Sequence, residues 1–188
     1  VVTNDLFGLR FFPPALVRTP APAAVRVPKP ATSRRIFLLG ESAAMGFPQP
    51  ALGLAPMLEH MLRQAEPEAG WEVHNAAMTA INSHVMVEIA EDSARLSPDL
   101  FIVFAGNNEA VGPYGPATVF GQGGLPVSLV RASNWIGATR IGQQLTRMVR
   151  RTGPGEWRGL EMFSRHRIEA SDPRLLRMYS AFEQNLDE

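Results

Sequence analysis

Residues 34–46 read R-R-I-F-L-L-G-E-S-A-A-M-G, and this stretch decides the fold class. The apolar run from Ile36 to Leu39 ends in the tight turn Gly40-Glu41-Ser42, and small residues follow. A short apolar run bounded by a turn reads as a buried strand, and the residues after it open a helix. Strand, turn and helix in that order build an open α/β sheet, whose ligands sit outside the carboxyl ends of the strands. The turn puts one hydroxyl, that of Ser42, at such an end. A serine there can act as a nucleophile, with its own backbone N–H and the helix N-terminus facing a developing oxyanion. It can equally be a turn serine that caps the next helix. The stretch alone does not separate the two roles.

Two further segments extend the pattern. Residues 71–75 (W-E-V-H-N) read as a second strand, followed by A-A-M-T-A-I-N-S-H. Residues 99–104 (D-L-F-I-V-F) read as a third, followed by A-G-N-N-E. In a parallel sheet the three ends share one rim, where they deliver Ser42, then Thr79 to Asn82, then Gly106 to Glu109. With these blocks in this order, residues 34–111 resemble the SGNH hydrolases, the GDSL esterase/lipase family. The family's Gly-Asp-Ser block is similar to Gly40-Glu41-Ser42. Its Asn-x-x-x-x-Gly block is similar to Asn75 through Ala80. Its Gly-x-Asn-Asp block is similar to Gly106-Asn107-Asn108-Glu109.

The resemblance implies a three-layer α/β/α sandwich on a parallel sheet, flavodoxin-like, with serine-based ester hydrolysis and neither metal nor cofactor. Carried over position by position, it makes Ser42 the nucleophile and Asn108 a side-chain donor to the oxyanion. Ala80 stands where the family has an oxyanion-hole glycine. Only its backbone N–H is needed, but a positive φ there would strain an alanine. Glu41 and Glu109 replace two aspartates and are longer by one methylene each. With Gly40 and Gly106 they form the supporting set. These departures mark a divergent subgroup.

The family's general base is a His in a late Asp-x-x-His block, and no such block occurs here. Of the four histidines, His60 falls on a helix expected over 54–64, and His74 lies inside the second strand. His166 belongs to the basic run S-R-H-R. His84 begins a helix near the rim, where it either contacts a ligand or caps and packs. A serine without a base is a poor nucleophile at neutral pH. The expectation is therefore an N-terminal portion of the domain, incomplete at its C-terminus. Its base would lie beyond residue 188, and its own C-terminal remainder would be its partner. Residues 173–187 place Leu175, Leu176, Met178, Tyr179, Phe182 and Leu186 at helical spacing. In such folds a helix like this precedes another strand. Alone, the chain is expected to be inactive.

The remaining sequence adds organisation more than chemistry. The length of 188 residues suits one domain. With 45% hydrophobic and 19% charged residues the composition is that of an ordinary globular protein. A formal net charge of zero argues against nucleic acid as a partner. The lack of cysteine removes disulfides and thiolate chemistry. Residues 1–33 form a Pro-rich arm whose proline density opposes regular helix. Its apolar cluster Leu6, Phe7, Leu9, Phe11 and Phe12 is expected to dock on the domain, with residues 20–30 running over the surface. No stretch has the length of a transmembrane helix. Membrane contact is expected only through an upstream anchor, which tilts localisation towards an extracytoplasmic or anchored protein. Residues 110–133 form a Gly/Pro-rich insertion, read either as a binding loop or as a packed irregular loop. In the first case Tyr114, Phe120 and Leu125 wall an acyl group, and Arg131 and Arg140 meet an anion or simply face solvent. Helices are expected over 134–151, with Ser133 as N-cap, and over 157–168. The function expected from all this is an ester hydrolase acting on a small-molecule or carbohydrate ester. O-acyl transfer to a carbohydrate and a non-catalytic ligand-binding or scaffold domain are the alternatives.

Overall fold

In the computed structural model, residues 1–121, 123–139, 141–142, 161–164 and 167–188 are described. The fold is mixed α/β. Three parallel strands, β1 (Ser33–Gly40), β2 (Gly70–Asn75) and β3 (Leu100–Phe104), pair in the order β2-β1-β3. Ile36 faces Val73 on one side and Leu100 on the other. The central strand is buried on both faces: Ile36, Phe37, Leu38 and Leu39 are each at most 4% exposed. This explains the unbroken apolar run, since a parallel strand covered on both faces has no polar side to alternate with.

Six α-helices lie among the described residues: α1 (Ser42–Met45), α2 (Leu54–Ala65), α3 (Ser83–Ala94), α4 (Val127–Ala138), α5 (Glu161–Ser164) and α6 (Pro173–Leu186). Helix α2 joins β1 to β2 and turns Ala55, Leu58 and Leu62 onto Ile36, Leu38 and Val73. Fully burying an Ile, Leu or Val side chain such as Ile36, Leu38 or Val73 stabilises the fold by about 1.5–3 kcal/mol. A second core holds Met78, Ile81 and Val85 from the β2–α3 loop and α3, with Tyr114, Val119, Phe120 and Val130. The N-terminal arm completes it with Phe7, Phe11, Phe12 and Leu16, so these residues are part of the core. Leu6 stays 62% exposed, and two 3-10 turns, Phe7–Arg10 and Pro14–Leu16, interrupt the extended arm. Among the described residues no strand pairs with the outer edge of β3, where Leu100, Val103 and Phe104 are about half exposed. No helix described is long and apolar enough to cross a membrane.

One helix begins earlier than its expected start. Helix α4 starts at Val127 with Pro126 as N-cap, not at Ser133. The fixed φ of proline presets a helix start. The face Val130, Asn134, Gly137 then repeats at helical spacing and is buried. The remainder of the helix expected over 134–151 from residue 143 onward lies outside the described residues, as do residues 157–160 of the next one. Arg140 and His166 also lie outside them.

Candidate active site at the carboxyl rim

The rim is built by the turn after β1. Gly40 has φ +153°, and a Cβ there would overlap the Phe104 carbonyl oxygen and sit 2.6 Å from the Ala44 Cβ. Only glycine lets β1, the end of β3 and α1 approach this closely. Glu41 follows as the residue before α1 and is 1% exposed. Its Oε1 accepts the Gly106 N–H at 3.1 Å, tying the first turn to the third. Burial raises its carboxyl above the ordinary carboxylate range. The N–H groups of Gly106, Asn108 and Asn107 pull the other way, and the Glu109 charge adds to the rise. Its second oxygen, Oε2, is buried without a hydrogen-bond partner among the described residues.

The loop after β2 is tied to the same turn. The Met78 N–H donates to the Gly40 carbonyl at 3.0 Å, and Ala76 N–H to the Leu38 carbonyl at 2.9 Å. Asn75 Nδ2 donates to the Met45 carbonyl at 3.0 Å while its Oδ1 accepts the Ala77 N–H at 3.2 Å. Two residues beyond Met78, Ala80 adopts φ +60°, a left-handed conformation that costs a non-glycine residue about 1–2 kcal/mol.

The turn after β3 is held by Glu109. Its carboxylate accepts the Ser83 N–H at 2.8 Å and the Ser83 hydroxyl at 2.7 Å, capping α3 from outside that helix. Burial raises its carboxyl too, against the two bonds from Ser83. Asn82 Nδ2 donates to the Pro113 carbonyl at 2.9 Å, so the start of the insertion is pinned to the same helix end. The Asn108 carbonyl accepts the N–H groups of Val111 and Gly112.

Gly40, Glu41, Ser42, Gly106, Asn108 and Glu109 therefore lie on turns bonded to one another, with Ala80 on the third bonded loop. Ser42 and Asn108 are both partly buried residues. Neither side chain makes a hydrogen bond to a described residue. Tyr114 and Phe120 are 5% exposed inside the arm-lined core. The Tyr114 hydroxyl donates to Asn134 Oδ1 at 2.9 Å. Leu125 packs at the edge of this core, and Arg131 pairs with Glu188.

No described histidine is hydrogen-bonded to Ser42. His60 is exposed on α2. His74 Nε2 lies 3.3 Å from Glu72, with its ring 5.1 Å from Phe37. His84 Nδ1 is 3.0 Å from Asn185 Nδ2, and its ring meets Tyr114 edge-on at 6.0 Å. Burial, then the Arg131 charge, lowers His84 to about 4, so it is neutral at neutral pH. Asn185 was not singled out from sequence. Its Nδ2 also donates to Ser83 Oγ at 3.0 Å, linking α6 to the Glu109 cap. The available signal was its spacing, three and four residues after Phe182 and Ala181 on the inward face of α6. Among the described residues no cluster of His, Cys, Asp and Glu fits a metal ion. Comparison with family models, curated proteins and solved structures gives no match for the chain.

Proposed function

We propose that this chain forms an SGNH-type α/β/α sandwich and supplies the nucleophile and oxyanion hole of a serine ester hydrolase. The observation that carries the reading is a pair of unbonded polar groups on adjoining turns. Ser42 follows Glu41 in the chain, and Glu41 accepts the N–H of Gly106, two residues before Asn108. In the proposed reaction Ser42 Oγ attacks the ester carbonyl carbon and its proton passes to a base. The N–H groups of Ser42 and Ala80 and the Asn108 Nδ2 stabilise the tetrahedral oxyanion. The C–O bond to the alcohol breaks, the alcohol leaves with a proton, and water releases the acid from the acyl-serine. The base belongs outside the three described histidines, each of which is either exposed or occupied elsewhere. The substrate is a small-molecule or carbohydrate ester, and a carbohydrate hydroxyl in place of water would make the protein an O-acyltransferase.

One observation favours a non-catalytic domain that binds a ligand at the same rim: Ser42 has no proton acceptor among the described residues. Hydrolysis of p-nitrophenyl acetate by the protein from its native source, compared with Ser42→Ala, separates the readings. Turnover lost in the variant supports the hydrolase. Turnover retained in the variant removes the serine mechanism, and its absence from both proteins favours the binding domain.

A further inference from the structure

A cavity of about 370 Å³, with Asn75 and Ala76 but not Ser42 on its lining, lies between the sheet and the N-terminal arm. Its floor is Phe37 of β1 and His74 of β2, and one wall is Ile89, Ser93 and the turn at Leu96. The arm forms the roof and is fastened to itself. Val2 and Ala24 form an antiparallel bridge. Thr3 N–H donates to the Ala23 carbonyl at 3.0 Å, and Thr3 Oγ1 accepts the Ala23 N–H at 2.8 Å. A roof bonded in this way keeps the space from closing by simple collapse of the arm.

The lining sets the chemistry of an occupant. It is mostly aliphatic and aromatic, so water gains few partners inside, and an apolar guest recovers dispersion contacts that empty space forgoes. The volume falls at the lower end of ligand-binding cavities. An apolar cavity of about 150 Å³ takes benzene, so this one suits a guest on the order of a dozen heavy atoms. Asp92 and Arg95, also on the lining, pair with each other at 3.6 Å. Ser93 is 6% exposed, lines the cavity, and its hydroxyl bonds to no described residue. A lining hydroxyl that no described residue bonds is a place where a guest can form a hydrogen bond.

We propose that this cavity binds an uncharged, largely apolar small molecule, bicyclic-aromatic in size, whose single polar group bonds to the Ser93 hydroxyl. The test is titration of the protein with 2-naphthol, followed by its fluorescence, beside naphthalene as the partner without a hydroxyl. Saturable binding of both is expected. Ser93→Ala, a small change on a helix, should weaken 2-naphthol by about 2- to 12-fold, one hydrogen bond's worth, and leave naphthalene unchanged. Ile89→Trp should fill the space and abolish both, with the circular dichroism spectrum retained. The proposal is overturned if binding does not saturate, or if 2-naphthol binds wild type and Ser93→Ala equally. Binding that survives Ile89→Trp would also overturn it, by moving the site to another apolar surface.

Discussion

Gly40→Ala tests the rim directly, because the approach of three elements depends on a missing side chain. The added Cβ would overlap the Phe104 carbonyl oxygen and press on the Ala44 Cβ at 2.6 Å. Neither neighbour is the free end of a flexible side chain, so strand ends or α1 must move. Overpacking of this kind costs about 1–3 kcal/mol. The positive φ of Gly40 adds about 1–2 kcal/mol for any residue with a Cβ. Alanine recovers about 0.4–1 kcal/mol by narrowing the unfolded ensemble. The net loss is therefore about 2–4 kcal/mol, a large share of a total stability of about 5–15 kcal/mol. In urea, with a slope of about 2 kcal/mol per molar, the midpoint should fall by about 1–2 M. Gly121→Ala is the control: its φ is +105°, but no atom of a described residue lies within 4 Å of an added Cβ. It should lose only the conformational part, about 1 kcal/mol or less. Equal midpoints for the two variants would refute the claim that β1, β3 and α1 converge on Gly40.

Glu41 and Glu109 both hold their protons more tightly in the folded chain than in the unfolded one. Their contribution is thus fully present below the unfolded carboxylate value and is lost as pH rises through the folded one. Thermal melts should show Glu41→Gln gaining on wild type as pH increases from about 4.3; a constant difference would contradict the buried, proton-holding carboxyl. In protein that turns over p-nitrophenyl acetate, Asn108→Ala should lower kcat by about 100- to 1000-fold, the cost of one oxyanion donor. An unchanged kcat removes Asn108 from the site. His84→Ala should leave the ester turnover and its pH profile unchanged, since His84 is engaged by Asn185 and stays neutral down to about pH 4. Loss of turnover with retained folding would make His84 the base.

Much of the sheet was legible because its residues answer to one constraint, burial between covered faces. The strand read at 71–75 runs Gly70–Asn75, and that at 99–104 runs Leu100–Phe104. Helices read at 54–64 and 173–187 run Leu54–Ala65 and Pro173–Leu186, the latter capped by Asp172, which accepts the Arg174 N–H at 2.8 Å. Ser133 is a good cap by type, but it lies inside α4, which starts after Pro126. The arm's place in the core was legible from its phenylalanines. Its fastening through Thr3 was not, because those bonds join residues about twenty apart with no periodicity. At the rim, the turn residues could be named in order. Their ties could not, since Glu41–Gly106 and Glu109–Ser83 are long-range and depend on how far a glutamate reaches. Asn185 escaped for the same reason: its partner Ser83 lies 102 residues away.

The central claim is that Ser42 is a nucleophile set in an oxyanion hole. Fluorophosphonate labelling of the protein from its native source, followed by peptide mass spectrometry, tests it most directly. The probe's phosphorus takes the place of the ester carbonyl carbon, fluoride leaves, and the serine oxygen keeps the phosphonyl group. The account predicts a single adduct on the peptide containing Ser42, absent from Ser42→Ala and suppressed in Asn108→Ala. An adduct on another serine, or none on a folded protein that hydrolyses esters, would contradict it.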